Sequence, residues 1–257
     1  MHKTNAYLTL AATLYMSLGS IIMVALFGFE VSSELDRPVV EFFLEPAGYA
    51  FIIWGLIYLG YIALGLYQIR PAMWEDPRFV EARPYLILNA FFNSFWFIGV
   101  ARNFLWMTVL CMLVMLLTLI QLSRYLELGQ SGQNRAEKWW VKLPIALYFG
   151  WITLATPINI TSWLAAEVGW TGASLFSPAV WSTLILGIAA AIILTLYLTR
   201  QVNGAYLLVG VWGLFAIFIA NLARSSLVAA TALGLAGLLA LVLINRYFED
   251  KAAFSLL

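Results

Sequence analysis

Aromatic rings and carboxamides recur at helical spacing in three apolar stretches of this chain. Phe51, Trp54, Tyr58 and Tyr61 fall at steps of three and four residues; so do Asn89, Asn93 and Trp96, and again Thr156, Asn159 and Trp163, with Trp151 further upstream. On a helix such steps put side chains on one face. Indole and phenol rings offer flat π surfaces, and amides add a few directed hydrogen bonds. Together they suit a flat, largely apolar ligand with polar edges. The same residues also suit plain packing, with asparagines bonding between helices and rings filling space.

Other chemistries lack their residues. The single histidine is His2, so no internal imidazole is present to ligate haem, chlorophyll or zinc. Lysines occur only at 3, 138, 142 and 251, outside the apolar runs, which excludes a Schiff base within a bundle. Cys111 is the one cysteine, so no intramolecular disulfide forms. No Asp or Glu lies in the middle of an apolar run, Glu167 being at an end, which argues against a carboxylate proton relay. No nucleophile–base arrangement is present either. Catalysis is therefore a less favoured expectation than ligand binding or transport. A net charge of +1 without a basic run gives no sign of nucleic acid as a partner.

The elements that must position these residues are set by the solvent. Hydrophobic residues make up 63% of the chain and charged residues 11%, against about 25% charged in a soluble domain. Lipid must surround most of it. Long apolar runs without alternation indicate helices rather than barrel strands. Eight spans are expected near 6–28, 47–68, 84–101, 104–123, 144–166, 178–199, 205–223 and 226–245. Prolines 46, 84, 144 and 178 stand near four of the starts. The first run is expected to be a retained span rather than a cleaved leader.

Basic residues orient the bundle. With the N-terminus inside, inside segments hold Lys3, Arg70, Arg78, Arg83, Arg124, Arg135, Lys138, Lys142, Arg200, Arg246 and Lys251. Outside loops hold only Arg37, Arg102 and Arg224. Eight spans also return the C-terminus inside. On this topology Pro46 to Trp54, Asn93 to Trp96, Trp106, and Thr156 to Trp163 share the outer half. The first outside loop, 29–46, is acidic (Glu30, Glu34, Asp36, Glu41 and Glu45) and is either a solvated loop or a lid. Trp74, Trp139 and Trp140 inside, and Trp170 and Trp181 outside, read as interface anchors. Arg224, one helical step from Asn221, reads as snorkelling, and Gly234 and Gly237 as close packing.

These residues resemble the translocator protein family, the tryptophan-rich sensory proteins (TspO/MBR). Pro46-Ala-Gly-Tyr49-Ala-Phe51-Ile-Ile-Trp54-Gly-Leu-Ile-Tyr58 is similar to its second-helix segment, and Asn93-Ser-Phe-Trp96 to its third-helix element. Leu143-Pro144 through Trp151, Thr156, Asn159 and Trp163 is similar to its fifth helix. Tyr49 stands where the family usually has tryptophan. The proline expected before Trp54 is absent, Leu154 stands near the family's phenylalanine, and Pro157 intrudes. The resemblance covers residues 6–167 and implies a five-helix bundle that binds porphyrins, sterols or synthetic aromatic ligands, often as a homodimer.

The expectation is an all-α polytopic membrane bundle of about eight transmembrane helices, both termini inside. Residues 1–167 form a translocator-like part and 168–257 a three-helix extension. Pro46, Tyr49, Phe51, Trp54, Tyr58, Asn93, Trp96, Trp151, Thr156, Asn159 and Trp163 are the expected ligand-binding set, with no metal and no required cofactor. A flat apolar ligand in an outward-side aromatic pocket, either a tetrapyrrole (protoporphyrin or haem-like) or a sterol-like molecule, is what the resemblance implies, in a sensory or regulatory role; the lipid bilayer is the expected partner, in a plasma or organelle membrane. Two alternatives are a facilitator of a small hydrophobic molecule and an assembly subunit of a membrane complex.

Overall fold

The computed structural model describes residues 2–27, 42–130, 134–170, 172, 174–199 and 201–254. Among them all the regular structure is helical. Eight long helices are present: α1 (His2–Phe27), α2 (Ile53–Gln68, led by a 3-10 turn at Gly48–Ile52), α3 (Pro77–Ala101) and α4 (Leu105–Tyr125), then α5 (Arg135–Ala166), α6 (Pro178–Leu198), α7 (Gly204–Asn221) and α8 (Ser226–Phe254). Among the described residues, the seven from α2 to α8 are long and apolar enough to cross a bilayer. Helix α1 has 26 residues, which at 1.5 Å each reach about 39 Å, more than the roughly 30 Å of hydrocarbon. The chain is an integral multi-pass helical membrane protein.

Two helices begin earlier than hydropathy indicates, because capping chemistry outranks polarity at a helix start. Helix α3 starts at Pro77, so Pro84 lies inside it rather than at its beginning. Asp76 is the N-cap, its carboxylate accepting from the Arg78 N–H at 2.9 Å, and Pro77 fills the first turn where no donor is needed. Burial pushes the Asp76 carboxyl up, but the hydrogen bonds and charge of Arg78 outweigh that and hold it below its ordinary value. Helix α5 likewise starts at Arg135, with the Asn134 side chain accepting from Glu137 N at 2.8 Å. A π-helical turn at Lys138–Lys142 carries it past Pro144 without a break. The inside loops are correspondingly short, and an ion pair joins the two starts: Arg78 reaches Glu137 at 2.8 Å.

The close separation of the third and fourth runs is a real turn. Asn103 adopts φ 57°, a left-handed conformation that asparagine tolerates. The backbone reverses there between α3 and α4. Glu167, at the outer end of α5, accepts from Leu105 N (2.8 Å) and Trp106 N (3.3 Å) and so caps α4 from a neighbouring helix. A carboxylate at a helix N-terminus also meets the favourable end of the macrodipole.

Contacts close the first five helices into a ring, in the order α1, α2, α5, α4, α3 and back to α1. The last three pack as a second group, with α8 against α6 and α7, and α7 lying along α5. The turn near 167, where the two expected parts divide, joins α5 to α6. Helices α5 and α7 approach closely at Gly150 and Gly213. A methyl at Gly150 would stand 2.7 Å from the Tyr206 carbonyl oxygen, whereas one at Gly213 would meet the end of the Leu154 side chain. A backbone carbonyl in a helix has nowhere to go, but a leucine methyl rotates away. Gly150→Ala is therefore expected to cost about 1–3 kcal/mol, read as a lowered melting temperature in detergent, and Gly213→Ala clearly less. Equal losses at both positions would contradict this account of the contact.

Candidate functional site

Trp54, near the outer end of α2, is 5% exposed and sits amid five other rings. Ring centroids lie 5.6 Å away for Tyr58, 5.8 Å for Trp96, 6.2 Å for Phe97, 5.7 Å for Tyr148 and 6.4 Å for Trp151. Phe51 adds an edge contact to Trp151 at 5.7 Å. Stacked, tilted and edge-on arrangements all occur, within the range in which aromatic pairs attract. Rings from α2, α3 and α5 thus form one cluster on the inner face of the five-helix ring.

Below and beside the rings runs a polar chain without charges. Asn93 is fully buried. Its amide nitrogen donates to Tyr148 Oη at 2.8 Å on α5, and its oxygen accepts from Ser20 Oγ at 3.2 Å on α1. Tyr148 Oη in turn lies 2.9 Å from Met115 Sδ on α4. One turn further in, Asn89 donates to Thr118 Oγ1 at 2.8 Å. Toward the outside, Asn159 Oδ1 accepts from Trp96 Nε1 at 3.3 Å, while its own amide donates to Ala155 O. The asparagines therefore do bond between helices, as the packing reading expects.

Two polar atoms in the cluster stand apart. Trp54 Nε1 is buried with no hydrogen-bond partner among the described residues. Tyr58 Oη lies beside Ser20 and Asn93 yet makes no hydrogen bond of ordinary geometry to either. A buried donor left unpaired costs about 1–3 kcal/mol.

Of the expected set, the structure brings together Phe51, Trp54, Tyr58, Asn93, Trp96 and Trp151, with Asn159 joined through Trp96. It does not bring in the other four. Tyr49 is 42% exposed and meets Trp212 of α7 edge-on at 5.2 Å instead. The Thr156 hydroxyl donates to Ile152 O of its own helix. Trp163, half-buried, has no ring contact with the cluster among the described residues, and Pro46 lies two residues before the 3-10 turn. Trp106, expected at the same depth, is 54% exposed on the outer surface of α4. Of the acidic loop, Glu30, Glu34, Asp36 and Glu41 fall outside the described residues.

Sequence reasoning missed Tyr148, Phe97, Ser20 and Met115. Tyr148 was within reach, since it precedes Trp151 by three residues and shares its face. Phe97 directly follows Trp96, and adjacent helical residues do not share a face by period alone. Ser20 and Met115 carry no pattern. A separate open hollow of about 550 Å³ lies at the inside end of α5, lined by Arg135, Ala136, Trp139 and Trp140. Both indoles there are more than half exposed, which suits interface anchors.

A family model described as TSPO-like protein matches residues 5–245. The chain belongs to the TSPO-like protein family. The match runs past residue 167, through α6 and α7 and into α8, so the C-terminal helices lie inside the matched region. Comparisons with curated proteins and with solved structures found no match.

Asn93 links three other helices of this TSPO-like protein, and Asn93→Leu leaves Ser20 and Tyr148 without it. Stability is expected to fall by about 1–3 kcal/mol, measured by thermal unfolding in detergent. Ser94→Ala should change little, because that hydroxyl bonds only to Ala90 O of its own helix. Equal stability of Asn93→Leu and wild type would remove Asn93 as a pin.

Proposed function

We propose that this TSPO-like protein binds a flat, largely apolar ligand of the tetrapyrrole or sterol class at the aromatic cluster around Trp54. The observation that carries the reading is the Trp54 indole N–H. It is enclosed by rings from three helices and, among the described residues, answered by no acceptor. A ligand with an acceptor at its edge satisfies that donor and Tyr58 beside it. Its faces replace ring–ring contacts with ring–ligand contacts of the same kind.

Family membership and the buried aromatic cluster support this reading, and the chemistry of the lining agrees with it. Among the described residues no Asp, Glu, Lys, Arg or His contributes to the cluster, so affinity comes from stacking and from neutral hydrogen bonds. Binding must also part rings that touch one another. Occupancy is therefore coupled to the spacing of α2, α3 and α5, which suits a sensor or regulator.

Titration of the detergent-purified protein with protoporphyrin, followed by tryptophan fluorescence, is expected to show saturable quenching. Trp54→Phe combined with Trp96→Phe keeps two rings but removes both indole donors, and affinity should fall at least tenfold. Saturable quenching with unchanged affinity in the double variant would refute the site.

A further inference from the structure

The non-helical segment before α2 is gripped by helices far away in sequence. Both backbone groups of Phe43 are taken by side chains of the C-terminal group. Its N–H donates to Ser182 Oγ on α6 at 3.0 Å, and its carbonyl accepts from Asn221 Nδ2 on α7 at 3.1 Å. Ala47 N–H donates to the Ala216 carbonyl at 3.1 Å. Trp212 Nε1 donates to the Ala50 carbonyl at 3.2 Å, and its ring meets Tyr49 edge-on. Phe42 stacks on Trp170 with centroids 5.6 Å apart.

These contacts fall on the residues that lead directly into the cluster. Leu44 and Ala50 are buried, Phe51 touches Trp151, and Trp54 follows one turn later. Three of the four hydrogen bonds use a side chain whose loss leaves the helix backbone intact. Ser182 also bonds its own helix at Pro178 O, and Asn221 at Ile217 O, so each side chain is held in place while it holds the segment.

We infer that Trp212, Asn221 and Ser182 are positioning residues that latch residues 42–50 over the outer end of the aromatic cluster. The C-terminal helices thereby control access to it. The latch stands on the contacts alone; its control of ligand exchange rests on the binding proposed above. A flat ligand coming from the outer side has to displace this segment. Weakening the latch speeds ligand association and dissociation together, with a smaller effect on equilibrium affinity.

The test uses the full-length protein in detergent with Cys111→Ala, which removes the one natural thiol, and Ala47→Cys as a reporter on the segment. The rate of maleimide labelling reports opening. Trp212→Phe with Asn221→Leu keeps ring and bulk but removes both donors, and is expected to raise the labelling rate at least tenfold. Trp139→Phe at the inside end should leave it unchanged, and the melting temperature separates unlatching from general loosening. Stopped-flow quenching by protoporphyrin should then show both rates raised in the same variant. Unchanged labelling overturns the latch, as does an equal rise in Trp139→Phe. Faster labelling with unchanged porphyrin kinetics overturns its role in access. Absence of porphyrin binding in the parent protein sinks the proposed function and the access role with it, while the labelling rates still decide the latch.

Discussion

Inside a bilayer no water is available to answer a buried N–H or O–H, so each enclosed polar group must be answered by another part of the chain. That constraint orders this bundle. From the inside outward, Arg83 donates to Gln68 and Gln68 to the carbonyl of Ala6; Asn89 then meets Thr118, Asn93 meets Ser20 and Tyr148, and Trp96 meets Asn159. Every one of these bonds crosses between helices. Apolar packing is non-directional and would tolerate helices sliding past one another. A ladder of cross-helix hydrogen bonds does not, because a shift of one residue rotates each donor by about 100°. Register around the five-helix ring is therefore set by a handful of polar groups, all neutral but Arg83.

The same constraint distinguishes two indoles of the cluster. Trp96 and Trp54 are both buried indoles in one cluster, yet among the described residues only Trp96 of the two has its N–H answered. A phenylalanine at 54 would fill similar space without a stranded donor. The donor is tolerable because the surrounding rings make favourable contacts that outweigh one missing bond. The absence of a charged group from the described lining acts in the same direction, since an unpaired charge there would cost far more than a neutral N–H.

Much of this was legible beforehand, and the reasons for the rest are physical. Hydropathy located the spans because lipid imposes it, and the basic-residue asymmetry agrees with helix ends at Arg78, Arg135 and Lys138 that cluster on one side. The starts of α3 and α5 were misplaced because Asp76-Pro77 and Asn134 cap helices that extend beyond the apolar run, and hydropathy does not see a cap. Within the site, three- and four-residue steps correctly joined Trp54 to Tyr58 and Asn93 to Trp96. They carried Thr156 and Trp163 along with Asn159, although a threonine can spend its hydroxyl on its own helix. Periodicity says which residues share a face, not which neighbour that face meets. Tyr49 turned out to face α7, a partner more than 160 residues away that no local pattern could name.

The same C-terminal group answers the backbone of the segment that leads into α2. Residues 42–50 run in irregular and 3-10 backbone at the outer edge of the bundle, where several N–H and C=O groups have no partner within the segment. Backbone of that kind is tolerated at membrane depth only when protein covers it or water reaches it. Ser182, Asn221, the Ala216 carbonyl and Trp212 provide the cover, group by group. Gly150 lets α7 come near enough along α5 to reach the segment at all. The family match likewise runs past 167, to residue 245. Irregular backbone at that depth is answered by neutral hydrogen bonds from helices far away in sequence, because the segment has too few partners of its own.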